Sequence, residues 1–171
     1  PPPTQNTLSL HDALPIFQDD LSEKEVALFL NEVSEAAKKD GFEAGYSLAI
    51  GKIKEYPTCD LLLGNVAMLL NGLLLFQGNR IDSYEKYEEE IEALFQRVMQ
   101  SDRIDIREQA QAYLISKLME KQDYEQAQKV LDTISKKRVL DREQLQANLY
   151  IAQGELEKAA KLTRSEERRV G

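Results

Sequence analysis

The sequence predicts an all-α protein made of antiparallel helical hairpins stacked as a short α-solenoid, on three observations. Almost every segment between residues 17 and 163 places apolar residues at three- and four-residue steps, the period of an amphipathic helix. Short breaks at Asp40-Gly41, Pro57, Gln77-Gly78-Asn79, Ser101-Asp102, Lys121-Gln122-Asp123 and Gln153-Gly154-Glu155 cut those segments into hairpin lengths. Two stretches are also alike: DYEQAQKVL (Asp123 to Leu131) and ELEKAAKL (Glu155 to Leu162) superpose Ala127 on Ala159, 32 residues apart, and Ile91 holds the matching place 36 residues before Ala127. Such spacings surround the roughly 34 residues of a helix-turn-helix repeat, a unit that cannot cover its own apolar face and so stacks on its neighbours.

The first helix starts at Asp20 or Ser22. Glu25, three residues after Ser22, completes a capping box, and Val26, Phe29, Leu30, Val33 and Ala37 make one apolar stripe up to Asp40-Gly41. The second helix carries Phe42, Tyr46, Ala49, Ile50 and Ile53, and Pro57 stops it at Tyr56. Asp60 opens the most hydrophobic segment, Leu61 to Phe76. It falls short of the ~20 apolar residues of a membrane span, contains Asn65 and Asn71, and lies between acidic stretches, so it reads as a central helix buried on most sides. Gly64 and Gly72 in it are places for close helix approach, at a cost of about 1 kcal/mol each in propensity.

Ser83 opens the next helix, with Tyr84, Tyr87, Ile91, Leu94, Phe95 and Val98 inward and Glu85, Glu88, Glu89, Glu90 and Glu92 as a solvated face. From Ile106 a further pair follows, joined at Lys121-Gln122-Asp123. Its inner residues are Ala110, Leu114 and Leu118, then Tyr124, Ala127, Val130, Leu131 and Ile134. After a basic connector at Lys136-Lys137-Arg138, the last pair carries Leu145, Ala147, Leu149 and Tyr150, then Leu156, Ala159 and Leu162.

Composition narrows the chemistry. The 171 residues hold one cysteine, one histidine and no tryptophan, at a net charge of −8. Lone Cys59 excludes an internal disulfide and fits a reducing, cytoplasmic setting. The acidic balance argues against gripping a phosphate backbone. No phosphate loop, nucleophile elbow or dinucleotide fingerprint occurs. The carboxylates read as surface groups, and Cys59 has no base near it in sequence. No enzyme, cofactor or metal is expected.

Both ends depart from the helical pattern. Pro1 to Ile16 holds four of the five prolines and His11, with no period. LSLHDALPI (Leu8 to Ile16) and RSEERRV (Arg164 to Val170) resemble translated sequencing-adapter read-through. That likeness implies non-native tails at 1–16, disordered, and at 164–171, and a native piece of 147 residues from Phe17 to Thr163 cut at both ends. Natural tails are the plainer alternative. A secretory signal is the poorest, since no basic region precedes an apolar run broken by His11 and Asp12.

The last two hairpins resemble tetratricopeptide repeats through Leu114, Leu118, Tyr124, Ala127 and Leu131, and then Ala147, Tyr150, Gly154 and Ala159. Small alanines suit close helix crossings, with leucines and aromatics filling the holes beside them. The consensus tryptophan and terminal prolines are absent, and residues 77–83 stretch the preceding unit. The resemblance implies a tetratricopeptide-like α-solenoid. A second likeness spans 17–163. KEYPTCDLLLGNVAMLLNG (Lys54 to Gly72), YEEEIEALFQRV (Tyr87 to Val98) and LDREQLQANLYIAQGELEKAAKL (Leu140 to Leu162) resemble the region that follows the DNA-binding domain in XRE-type helix-turn-helix transcriptional regulators of Firmicutes.

That likeness implies a sensory, dimerisation or protein-interaction region. Its partners would be a protein, a peptide or a second copy, and DNA would be reached only through a helix-turn-helix this chain lacks. Leu21 to Lys39, a single acidic amphipathic helix, does not supply one. The alternative is a free-standing scaffold that binds a peptide or protein. In either case the groove falls on the first helices of the hairpins, where Gln109, Ser116, Gln144 and Asn148 align at steps of seven and four. No membrane partner is expected.

Overall fold

A computed structural model describes residues 20–135 and 142–170. Among them are eight α-helices: α1 Glu23–Asp40, α2 Phe42–Glu55, α3 Asp60–Gln77, α4 Tyr84–Val98, α5 Ile104–Glu120, α6 Tyr124–Thr133, α7 Arg142–Ala152 and α8 Leu156–Val170, with a 3-10 turn at Gly78–Arg80 and no strand. Each odd-numbered helix packs most extensively on the one that follows, giving four hairpins. The first helices also touch in succession, α1 on α3, α3 on α5 and α5 on α7, while α2, α4 and α6 each contact the first helix of the next hairpin. The first helices thus form one continuous layer, and the hairpins stack in chain order, as the periodicity predicts.

Local chemistry sets the boundaries. Ser22 Oγ accepts from Glu25 N at 3.2 Å while Glu25 Oε2 accepts from Ser22 N at 2.8 Å, the reciprocal box expected at the start of α1. Gly41, at φ 93°, turns the chain between α1 and α2 in a conformation that a side chain would strain. Asp123 caps α6 by accepting from Gln126 N at 3.2 Å. Ser83 precedes α4 as expected but sits at φ 64° and makes no side-chain cap, and α5 begins two residues before Ile106.

The apolar interior falls into two clusters that meet on α5. The first takes Val26, Phe29 and Val33 of α1, Leu62, Val66 and Leu70 of α3, Ile91 and Phe95 of α4, and Ile106 and Ala110 of α5. The second joins Ile115, Ala127, Leu131, Ile134 and Leu149. Beside the second cluster the seam is polar. Gln111 Nε2 donates to Thr133 Oγ1 at 2.9 Å, and the amides of Gln128 and Gln146 exchange hydrogen bonds at 2.9 and 2.8 Å between α6 and α7. Repeat-defining Ala127 and Ala159 are both buried, with Ile91 in the same role on α4.

Several expectations are corrected. Gly64 is a close-approach glycine, since a Cβ there would lie 2.6 Å from Ile106 Cγ2, but Gly72 faces open space. Leu156 is 64% exposed rather than inward, because it opens α8 a full turn before the buried contact at Ala159. Glu108 is buried although every carboxylate was expected at the surface, a consequence of its place on α5 between neighbouring hairpins. Nor is the acidic run of α4 only a solvated face: Glu90 accepts from Tyr46 of the preceding hairpin, and Glu88 and Glu92 pair with Lys117 and Lys121 of the next at 2.7 and 3.4 Å. The α8 helix continues through Arg164 to Val170, where the periodic pattern was expected to stop. The 136–138 connector and the 1–16 segment with His11 lie outside the described residues.

Candidate functional site

The first-helix layer is not sealed along its outer side. Between α3, α5 and α7 lies an open cleft of about 350 Å³, its floor formed by Met68 and Leu75 of α3, Ala112 of α5 and Leu145 of α7. Met68 and Leu75 are 44% and 59% exposed, on a helix that otherwise buries leucine on nearly every turn. A second depression of about 280 Å³ lies between α1, α3 and α5, with Ala27, Leu30 and Asn65 along it. Gln109 of α5 lines both, and Asn65 and Met68 are one helical turn apart on α3, so the two form a single track along α3 and α5 that is flanked by α1 and α7.

The ends of this track have matching electrostatics. At one end Glu23 and Asp105 share Arg103, whose Nη2 lies 3.1 and 3.7 Å from their carboxylates. At the other, Lys117 Nζ is shared by Glu88 at 2.7 Å and Glu120 at 2.9 Å. Burial alone would pull the Lys117 ammonium down, but the two carboxylates outweigh it and hold its pKa above the usual lysine range. In each of these ion-pair groups two carboxylates therefore share one cation, with Glu88 reaching Lys117 from α4.

Tyr113 forms part of the cleft wall. Its ring stacks on Phe95 of α4 at 3.8 Å between centroids, and its hydroxyl is buried with no hydrogen-bond partner among the described residues. Burial raises the phenol pKa to about 12. Ser116 is exposed, and its hydroxyl donates back along α5 to Ala112 O at 3.2 Å.

Of the four residues assigned to a groove from the sequence, the structure brings Gln109 and Ser116 to the cleft and leaves Gln144 and Asn148 outside it. The last two hydrogen-bond each other at 3.0 Å on the exposed side of α7. At 100° per residue they lie 60° to 100° around the helix from Leu145, the α7 residue that does reach the cleft. The expected packing residues Leu114, Ala127, Leu131, Ala147 and Ala159 are buried, Leu118, Tyr124 and Tyr150 are partly buried, and Gly154 turns between α7 and α8 at φ 78°. Sequence reasoning missed Met68, Leu75 and Tyr113. The signal for the first two was Asn71 between them, a polar residue at i+3 within an apolar run that marks a stripe facing away from the core.

Cys59 is buried at the start of α3, and no group of three or more histidine, cysteine, aspartate or glutamate side chains able to hold a metal ion occurs among the described residues. No family model, curated protein or solved structure matches the chain.

Proposed function

We propose that this chain is a protein-interaction region that receives a segment of a protein or peptide partner along its first-helix layer. It would serve as the sensory or dimerisation arm of a transcriptional regulator of the XRE-type kind its sequence resembles, on a tetratricopeptide-like scaffold. The observation that carries this is the open, apolar-floored cleft between α3, α5 and α7. Exposed Met68 and Leu75 gain by being covered, and each side chain removed from water contributes up to about 1.5–3 kcal/mol. The groups around that floor suit recognition better than proton transfer. Gln109 offers an amide to a partner backbone, Ser116 a hydroxyl lone pair, and Lys117 is committed to two carboxylates. The net charge of −8 directs DNA contact to a separate helix-turn-helix domain in such a regulator.

Selection of random peptides on the immobilised chain tests this reading. Peptides with two or more apolar residues should be enriched and should lose binding to a Leu75→Asp variant. Failure to enrich any sequence, or enrichment of peptides that bind Leu75→Asp equally well, would overturn it.

A further inference from the structure

We infer that the occupant of the track is a segment with an apolar middle and a basic residue at each end, the two basic groups about 22 Å apart at 1.5 Å of helix rise per residue between Asp105 and Glu120 of α5. This rests on the interaction reading above and adds the chemistry of the partner. The paired excess of carboxylate supports it. Glu23 and Asp105 share one arginine at the α1 end, and Glu88 and Glu120 share one lysine at the α5 C-terminal end. Glu23, Asp105 and Glu120 are largely exposed, so an incoming cation can reach each of them.

Between those ends the track is uncharged. Its α3 wall runs from Leu61 through Asn65, Met68 and Asn71 to Leu75, and α3 holds no charged residue after Asp60. A partner with a charge in its middle would bury it against Met68 and Leu75 without a counter-ion, whereas apolar side chains there lose nothing. An acidic end would meet a site already holding more carboxylate than cation, on a chain of net charge −8. Gln109, where the two depressions join, can hydrogen-bond the backbone of a segment passing over it. An extended segment rises about 3.3 Å per residue, so the basic residues would be about seven apart.

Three fluorescent peptides of identical middle, Leu and Phe alternating with Ser, test this by anisotropy, with Lys, Ser or Glu at both ends seven residues apart. The lysine-ended peptide should bind tightest, each exposed charge pair contributing about 1.5- to 5-fold in affinity. Its advantage over the serine-ended peptide should vanish in 0.5 M salt, where the Debye length is only a few ångströms. Asp105→Asn and Glu120→Gln should each lower its affinity and leave the serine-ended peptide unchanged, while Leu75→Ser should weaken both. Equal binding of the lysine- and glutamate-ended peptides, or no effect of Asp105→Asn and Glu120→Gln together, would overturn the inference. If none of the three binds, while random selection still enriches Leu75-dependent peptides with neutral or acidic ends, this inference fails and the interaction reading stands. If selection enriches nothing as well, both fail.

Discussion

Replacing Gly64 by alanine tests the crossing of α3 and α5 on which the hairpin stack depends. A Cβ at this position would stand 2.6 Å from Ile106 Cγ2 and 3.3 Å from Cδ1, where carbon pairs rest at about 3.5–4.0 Å. Ile106 must retreat by roughly 1 Å at its nearest atom, yet it is 2% exposed and packed in the first apolar cluster, where it borders the depression between α1, α3 and α5. Overpacking of this kind costs about 1–3 kcal/mol, and the better helix propensity of alanine returns about 1 kcal/mol. The net expectation is a loss of about 0–2 kcal/mol. Gly72→Ala, eight residues along the same helix, meets nothing within 4 Å and should gain about 0.5–1 kcal/mol. Urea unfolding followed by far-UV circular dichroism should therefore separate the two variants by about 1–3 kcal/mol, on the order of 3–10 °C in Tm. In an Ile106→Ala background the obstacle is gone, and Gly64→Ala should become stabilising. Equal stability of Gly64→Ala and Gly72→Ala in the wild-type background would refute this crossing.

Two further outcomes follow from buried polar groups. Gln128→Leu strands the buried Gln146 amide at the α6–α7 seam and should cost about 1–3 kcal/mol, and Gln146→Leu should cost less because Gln128 Nε2 keeps Asp132 Oδ1 at 2.9 Å. The double replacement should cost less than the two losses summed; additive losses in a double-mutant cycle would contradict the reciprocal pairing. Tyr113 remains protonated in the folded chain to about pH 12, while an unfolded tyrosine ionises near its ordinary 10.0, so the unfolded state binds fewer protons over that interval. Stability should hold below pH 10 and fall as pH rises towards 12, with Tyr113→Phe reducing the slope. Tyr46, raised by burial and by its hydrogen bond to Glu90, should steepen the same decline, and a flat profile from pH 9 to 12 would contradict both burials.

How much of this was legible in the sequence depended on whether a signal was local. The box at Ser22 and Glu25, the turn at Gly41 and the buried stripe of α1 are encoded within a few residues each, and the structure follows them. The 32-residue likeness of Ala127 and Ala159 carried the hairpin stack, because a buried residue recurs at the matching place on the second helix of the last three hairpins, Ile91, Ala127 and Ala159. What was not legible was rotational phase between helices. Gly64 and Gly72 are equivalent in the sequence, and only the direction of the α5 approach separates them. Gln144 and Asn148 align with each other, but the rotation of α7 presents Leu145 to the cleft instead. Glu88, Glu90 and Glu92 read as solvent-facing until the partners on α2 and α5 are placed beside them. The cleft combines residues from three hairpins, so its floor follows from stacking geometry that no single window holds.

The most direct test of the account is amide chemical-shift mapping of the isotopically labelled chain titrated with its tightest selected peptide. The account predicts shifts concentrated on the first-helix layer, at Met68, Leu75, Ala112, Ser116 and Leu145, with Gln109 marking continuity towards Asn65 and Leu30. Shifts concentrated instead on α2, α4 and α6, or around exposed Ile151 and Leu156 of the last hairpin, would contradict it.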